Sequence, residues 1–271
     1  MLKYNISKNS DSALGDVLAR LKNNPSVDAV LLMGSTANKT MHKYSDYDLA
    51  CVLRDAPQKI MGITSFIDHK FSEIFFYSIA EVEQAIKNES IDLNNKEGWI
   101  ANWLRDGEIV CDKSGLLKRL KEKSINIGFN IDKGAIYKTW YRINYNLVQN
   151  SRYFESDSNL YHQALDIKLL YSILEVFTGY FDIRNISWTG EKNALKWLKE
   201  NDHDFLKIFQ SCLRVNDAEK FNLYKKLVEL ALKPVDGIWK KNTEAVMPSN
   251  DTDDAAIKFA LDYWDGLVAT S

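Results

Sequence analysis

The chain has 271 residues, 45% hydrophobic and 27% charged, a composition that suits two domains rather than one. A net charge of −2 and a pI near 6.1 do not favour a nucleic-acid backbone as partner. No apolar run approaches membrane-spanning length, which leaves no expectation of a membrane partner.

The N-terminal Met1-Leu2-Lys3-Tyr4-Asn5 lacks the basic-then-apolar layout of a signal peptide. Cys51, Cys111 and Cys212 stand far apart in apolar contexts and read as reduced core residues, so the expected location is cytoplasmic. His42, His69, His162 and His203 show no ligand spacing, which argues against structural zinc.

The first half alternates its elements. Leu14, Val17, Leu18 and Leu21 share one face of an amphipathic helix that stops before Pro25. Asp28-Ala29-Val30-Leu31-Leu32-Met33 reads as a buried strand ending at Gly34-Ser35, and Leu49-Ala50-Cys51-Val52-Leu53 as a second. Phe71 to Tyr77 is a third, aromatic-rich strand, with a helix expected after each strand or between them, such as Ile79 to Lys87. Glu108-Ile109-Val110-Cys111 is a fourth, followed by a helix over Leu116–Lys123. The pattern predicts an α+β domain over residues 1–130, with a small mixed sheet backed by helices.

From about Asp132 the strands vanish. Helical spacing runs through Tyr137, Tyr141, Asn144 and Val148 to Phe154, then from Leu160 to Phe177 with a stop around Gly179. Further helices are predicted over Glu191–Glu200, Asp204–Leu213, Ala218–Leu232 (closed by Pro234) and Asp254–Val268. Asp251-Thr252-Asp253-Asp254 reads as the cap and first-turn acids of the last one. Residues 131–271 are thus expected to form an α-helical bundle domain.

The chemistry gathers at Gly34-Ser35 and Tyr44-Ser45-Asp46-Tyr47-Asp48-Leu49. If the second apolar run is a strand, its period of two puts Asp46 and Asp48 on one face, about 7 Å apart. Two such carboxylates are placed to chelate Mg²⁺, which brings phosphates with it, while Gly34-Ser35 permits close approach of a phosphate. The plainer reading is a polar turn in which Ser45 or Asp46 acts as a cap.

Gly34-Ser35, ten intervening positions ending in Ser45, and Asp46-x-Asp48 resemble the signature of the DNA polymerase β-type nucleotidyltransferase superfamily. The spacing and the Tyr-Ser-Asp-x-Asp-Leu text are most similar to bacterial aminoglycoside nucleotidyltransferases (adenylyltransferases). The resemblance implies transfer of a nucleoside monophosphate from a nucleoside triphosphate to a hydroxyl. It also implies a third carboxylate on a later strand, for which Glu73 is the candidate, as metal ligand with Asp46 and Asp48 and as general base. An acid is otherwise out of place in Phe71-Ser72-Glu73-Ile74-Phe75-Phe76-Tyr77, whereas the competing Asp68 has polar neighbours and suits a solvated loop or helix end. Relatives carry a glycine beyond Gly34-Ser35 where this chain reads Ala37-Asn38-Lys39-Thr40. Asn38 is expected to take the left-handed conformation there, with Lys39 or Lys43 as alternative triphosphate contacts.

By the same resemblance, Mg²⁺ (two ions) and ATP as donor are expected, with helices on the sheet face opposite the acids and the helical half completing a nucleotide and acceptor cleft. Lys192 opens a helix after Ile186-Ser187-Trp188-Thr189-Gly190-Glu191, where a cation is unfavourable unless it meets an anion; it is either a phosphate contact or a solvated lysine behind a Thr189 cap. Tyr137, Trp140, Tyr141 and Tyr145 are either core or a stacking surface, and Asn144 and Asn146 mark either a polar pocket or a solvated face. The best-matching acceptor is an aminoglycoside-type antibiotic, which implies a role in antibiotic resistance. The alternatives are a protein or tRNA adenylyltransferase, or a non-catalytic nucleotide-binding regulator. Oligomeric state is not legible.

Overall fold

The computed structural model describes residues 12–56, 60–88, 96–126, 133–215, 217–241, 243–249 and 252–268. Met1–Asn5, Asp132 and Asp251 lie outside the described residues. The chain divides into two compact units, Met1–Asn130 and Ile131–Ser271.

The first unit runs α1 (Leu14–Asn23), β1 (Val27–Met33), α2 (Gly34–Ala37), β2 (Tyr47–Leu53), β3 (Gly62–Ile67), β4 (Lys70–Ser78), α3 (Ile79–Lys87), α4 (Lys96–Asp106), β5 (Glu108–Asp112) and α5 (Leu116–Asn126). Its sheet has the order β3-β4-β2-β1-β5, with β2 and β4 parallel and the other pairs antiparallel. All seven residues of β1 are buried, which is why Ala29–Met33 reads as an apolar run; the buried Asp28 accepts from the Ser114 hydroxyl.

Alternation then sorts the side chains by face. Ala29, Leu31, Ala50, Val52 and Tyr77 pack with Val82 of α3, Ile100 and Leu104 of α4 and Leu117 of α5. Val30, Leu32, Leu49, Cys51 and Ile74 pack on the other face beneath Val17, Leu18 and Leu21 of α1. Each large apolar side chain so buried contributes about 1.5–3 kcal/mol. A capping box starts α3 directly after β4: the Glu81 N–H donates to Ser78 Oγ (3.1 Å), and the Ser78 N–H donates to Glu81 Oε2 (2.6 Å). Burial opposes the Glu81 charge, but Lys96 at 2.8 Å and the Ser78 donors outweigh it and hold the carboxyl below its usual range.

Several expectations are corrected here. The segment between β2 and β4 holds a strand, β3, not a helix. It joins β4 through a two-residue turn in which Asp68 (φ 51°) and His69 (φ 59°) are both left-handed. Asp68 is a tie to α1: its Oδ2 accepts from the Leu14 N–H at 3.1 Å. Helix α4 was not anticipated. Cys51 and Cys212 are buried free thiols pushed up by burial to about 12 and about 11, but Cys111 is only half-buried.

The second unit contains α6 (Lys133–Phe154), α7 (Asn159–Ile183), α8 (Glu191–Asn201), α9 (His203–Cys212), α10 (Asp217–Leu232) and α11 (Asp254–Val268). The short link between α6 and α7 makes them neighbours. Their core holds Ile143, Leu169, Ile173, Phe177 and Phe181, with Phe177 stacked on Phe209 at 4.1 Å between ring centroids. The Arg184 guanidinium lies 3.7 Å over the Tyr180 ring and donates to the Leu230 and Ala231 carbonyls at 2.9 Å each, closing the end of α10.

Helix α7 does not stop at Gly179. A Cβ there would lie 2.8 Å from both Ile143 Cδ1 and Thr139 Cγ2, so the glycine serves close helix packing and not termination. Thr189 is not a side-chain cap either; Gly190 (φ +90°) holds the N-cap of α8 without a side-chain bond. At α11, Asp253 accepts the Ala256 N–H at 2.8 Å. Asn144 and Asn146 are buried. Asn144 donates to the Gly237 carbonyl and accepts the Trp239 N–H, and Asn146 bonds Glu175 and Lys168. Tyr137 and Trp140 donate to the Val246 and Gly237 carbonyls, whereas Tyr141 and Tyr145 stack on each other with Tyr145 exposed.

Asp182 carries a pH prediction. Burial pushes its carboxyl above the usual range, against the Thr139 hydroxyl and the Arg142 charge, which pull it down. A raised native pKa gives stability that is present below the ordinary carboxylate range and lost as pH rises through the native value, so the charged form is a cost at neutrality. Asp182→Asn, which keeps an acceptor for Thr139, is expected to raise the melting temperature at pH 7 by about 2 °C and to lose that advantage below about pH 4. An equal gap at both pH values contradicts the assignment.

Candidate functional site

The site grows where the end of β1 lies beside the start of β2. Met33, the last residue of β1, is the register partner of Asp48, so the chain leaves β1 beside that carboxylate. Gly34 turns with φ +63°, and a Cβ on it would lie 2.6 Å from Asp48 Oδ2. Both facts call for glycine: an L-residue pays about 1–2 kcal/mol for that conformation, and any side chain meets the carboxylate. Ser35 follows in the single helical turn α2, and its Oγ is buried without a hydrogen-bond partner among the described residues. A buried hydroxyl left open in this way suits a ligand oxygen.

Asp48 is also the register partner of Glu73 across the parallel β2–β4 pair. Neighbouring strands lie about 4.8 Å apart, and paired residues of parallel strands project to the same side. Alternation along β4 puts Glu73 on the face of Tyr77, and along β2 puts Asp48 on the face of Ala50 and Val52. Asp46 stands two residues earlier, just ahead of β2; all three acids are half-buried. Ser45 Oγ accepts the His42 N–H at 3.0 Å, which shapes the turn entering the strand. The polar-turn reading of Ser45 is therefore correct and coexists with the acidic pair.

The expected layout of faces is corrected. Helices α3, α4 and α5 pack on the same sheet face as the acids, over the later residues of β2 and β4, and α1 packs on the other. The acids stay half-open at the early end of β2 because that helical layer rests on Ala50, Val52 and Tyr77. Asn38 has φ −80°, and Lys39 (φ 54°) takes the left-handed position in its place. Thr64 of β3, the antiparallel partner of Glu73, was missed because β3 was missed; the β-branched and aromatic residues of Ile63-Thr64-Ser65-Phe66-Ile67 were its signal. Lys192 lies in the first turn of α8, in the second unit. A half-open apolar pocket of about 280 Å³ lies on the opposite face, lined by Val17, Leu21, Cys51, Ile63, Phe66 and others, and none of the acids borders it.

Among the described residues no three His, Cys, Asp or Glu side chains converge enough to hold a metal ion unaided. Magnesium is usually held by one or two carboxylates together with substrate phosphates and waters. A side-by-side Asp48–Glu73 pair, with Asp46 ahead of it and an open Ser35 hydroxyl nearby, fits that ion.

Gly34→Ala is expected to cost about 1–2 kcal/mol of stability and to displace the Asp48 carboxylate. Thermal unfolding then shows a folded protein, while any activity that depends on Asp48 falls steeply. A fully active Gly34→Ala enzyme removes this turn from the site.

Residues 16–115 match the family model described as Polymerase beta, Nucleotidyltransferase. The matched stretch contains Gly34, Ser35, Asp46, Asp48 and Glu73. Among solved structures the chain is similar to a nucleotidyltransferase-like protein from Exiguobacterium sibiricum 255-15. The identity is 11% and the TM-score 0.41, over 82% of this chain and 73% of that one. No curated protein matches the chain. The match places a nucleotidyltransferase-type domain over residues 16–115, within the first unit. No helix among the described residues is long and apolar enough to cross a membrane.

Proposed function

We propose that the chain moves a nucleoside monophosphate, AMP from ATP in the first instance, to a hydroxyl of a small molecule and releases pyrophosphate. The acceptor we propose is an aminoglycoside-type antibiotic. The observation that carries the reaction class is the parallel register of Asp48 with Glu73 beside a Gly34 whose positive φ and close approach to Asp48 favour glycine.

The roles follow from charge. The Gly34-Ser35 turn offers close backbone approach and the open Ser35 hydroxyl to the triphosphate. Asp46, Asp48 and Glu73 would hold Mg²⁺, which when bound offsets the charge of the phosphates. Glu73, standing on β4 next to Thr64, accepts the proton of the attacking hydroxyl. The new bond forms between that oxygen and the α-phosphorus, and the bond to the bridging oxygen breaks, so both electrons leave with pyrophosphate. Lys192 is proposed as a further phosphate contact, which a rise in KM for the triphosphate in Lys192→Ala, with kcat little changed, would support.

The test is pyrophosphate release with Mg²⁺ and each of ATP, GTP, CTP and UTP, against a panel of aminoglycosides and lincosamides. Release that depends on one acceptor class supports the proposal. Nucleotide binding with no release from any acceptor favours a regulator and overturns it.

A further inference from the structure

Helix α7 is apolar on two sides. Its inner side forms the core of the second unit through Leu169, Ile173, Val176 and Phe177. Its outer side remains open to water: Leu160 is 73% exposed, Ile167 65%, Leu170 65% and Leu174 53%, with Tyr171 also exposed. A helix that is hydrophobic all round is normally buried all round. The open side chains present on the order of 600 Å² of mainly apolar surface, at or beyond the largest patch that a typical monomer shows. That is close to the roughly 800 Å² that each partner contributes to a stable interface.

The spacing says what covers it. Leu160, Ile167 and Leu174 recur every seven residues, with Leu170 and Tyr171 between the last two, which is the seam of a helix pair and not a scatter of surface leucines. Leu160 and Leu174 stand seven residues to either side of Ile167, and Leu170 and Tyr171 have Ala164 and Gln163 as their mirror positions. A two-fold axis through Ile167 sets Ile167 against its own copy and Leu160 against Leu174 of the second chain. A self-complementary surface of this kind is the mark of an isologous interface. We infer that α7 is the dimerisation helix of this protein, pairing antiparallel with α7 of a second copy about an axis at Ile167.

The test uses the full chain. Sedimentation equilibrium at micromolar concentration is expected to give a dimer, and Ile167→Glu is expected to weaken it at least about 30-fold. Ile167 is exposed, so circular dichroism and the melting temperature of the variant should match those of the parent. A second measurement reads the axis itself. In a Cys111→Ser background, Ile167→Cys should form a disulfide-linked dimer on mild oxidation. Leu160→Cys should not, since two-fold symmetry holds its copies about 21 Å apart. A monomer at all concentrations overturns the inference. So does a dimer insensitive to Ile167→Glu but lost in Phe259→Glu on α11, or cross-linking as efficient at position 160 as at 167.

Discussion

Asp48→Asn is expected to lower kcat by at least about 10³-fold, or about 4 kcal/mol of transition-state stabilisation, while leaving the protein folded. The asparagine keeps the shape that fits against Gly34, so the turn is not disturbed. What changes is charge. Asp48 and Glu73 are like-charged register partners on one sheet face, an arrangement that is unfavourable unless a cation stands between them. Removing one of the two charges is therefore expected to leave the melting temperature of the ligand-free protein unchanged or slightly higher. Lost activity with equal or greater stability is the behaviour of a residue kept for function. A variant that loses both equally would make Asp48 a structural residue.

Glu73→Gln is expected to lower kcat by about 10²- to 10⁴-fold, the range that a positioned general base supplies. Its signature differs from that of Asp48→Asn in binding. In the proposed mechanism the triphosphate rests on the Gly34-Ser35 turn, so nucleotide affinity in Glu73→Gln should stay within a few-fold of the parent. Single-turnover kinetics separates the two: binding is kept and the chemical step is slowed. Undiminished turnover removes Glu73 from the mechanism, and Thr64, its partner on β3, is then the next group to replace.

Much of this site could be read from the chain because its parts are local. The run Ala29–Met33 is apolar throughout because β1 is covered on both faces, and it breaks at the residue where the backbone turns left-handed. Glu73 stood out as an acid in an aromatic strand. Its pairing with Asp48 did not stand out, because parallel register between β2 and β4 depends on the hairpin strand β3 folding outside β4. That hairpin was hidden: Ile63 and Phe66 are exposed on an edge strand, and the turn uses Asp68-His69 where a glycine would have signalled it. Gly179 and Thr189 misled for a related reason. A glycine marks a helix end or a close packing contact with the same letter, and only the position of Ile143 decides which.

The central claim is that this site breaks the bond between the α- and β-phosphates. Incubating the protein with Mg²⁺, a responsive acceptor and ATP labelled at the α-phosphate, with γ-labelled ATP in parallel, tests it directly. The account predicts that the α label appears in the acceptor and the γ label in pyrophosphate, with both signals lost in Asp48→Asn. Transfer of the γ label to the acceptor, or α-label transfer that survives in Asp48→Asn, would contradict it.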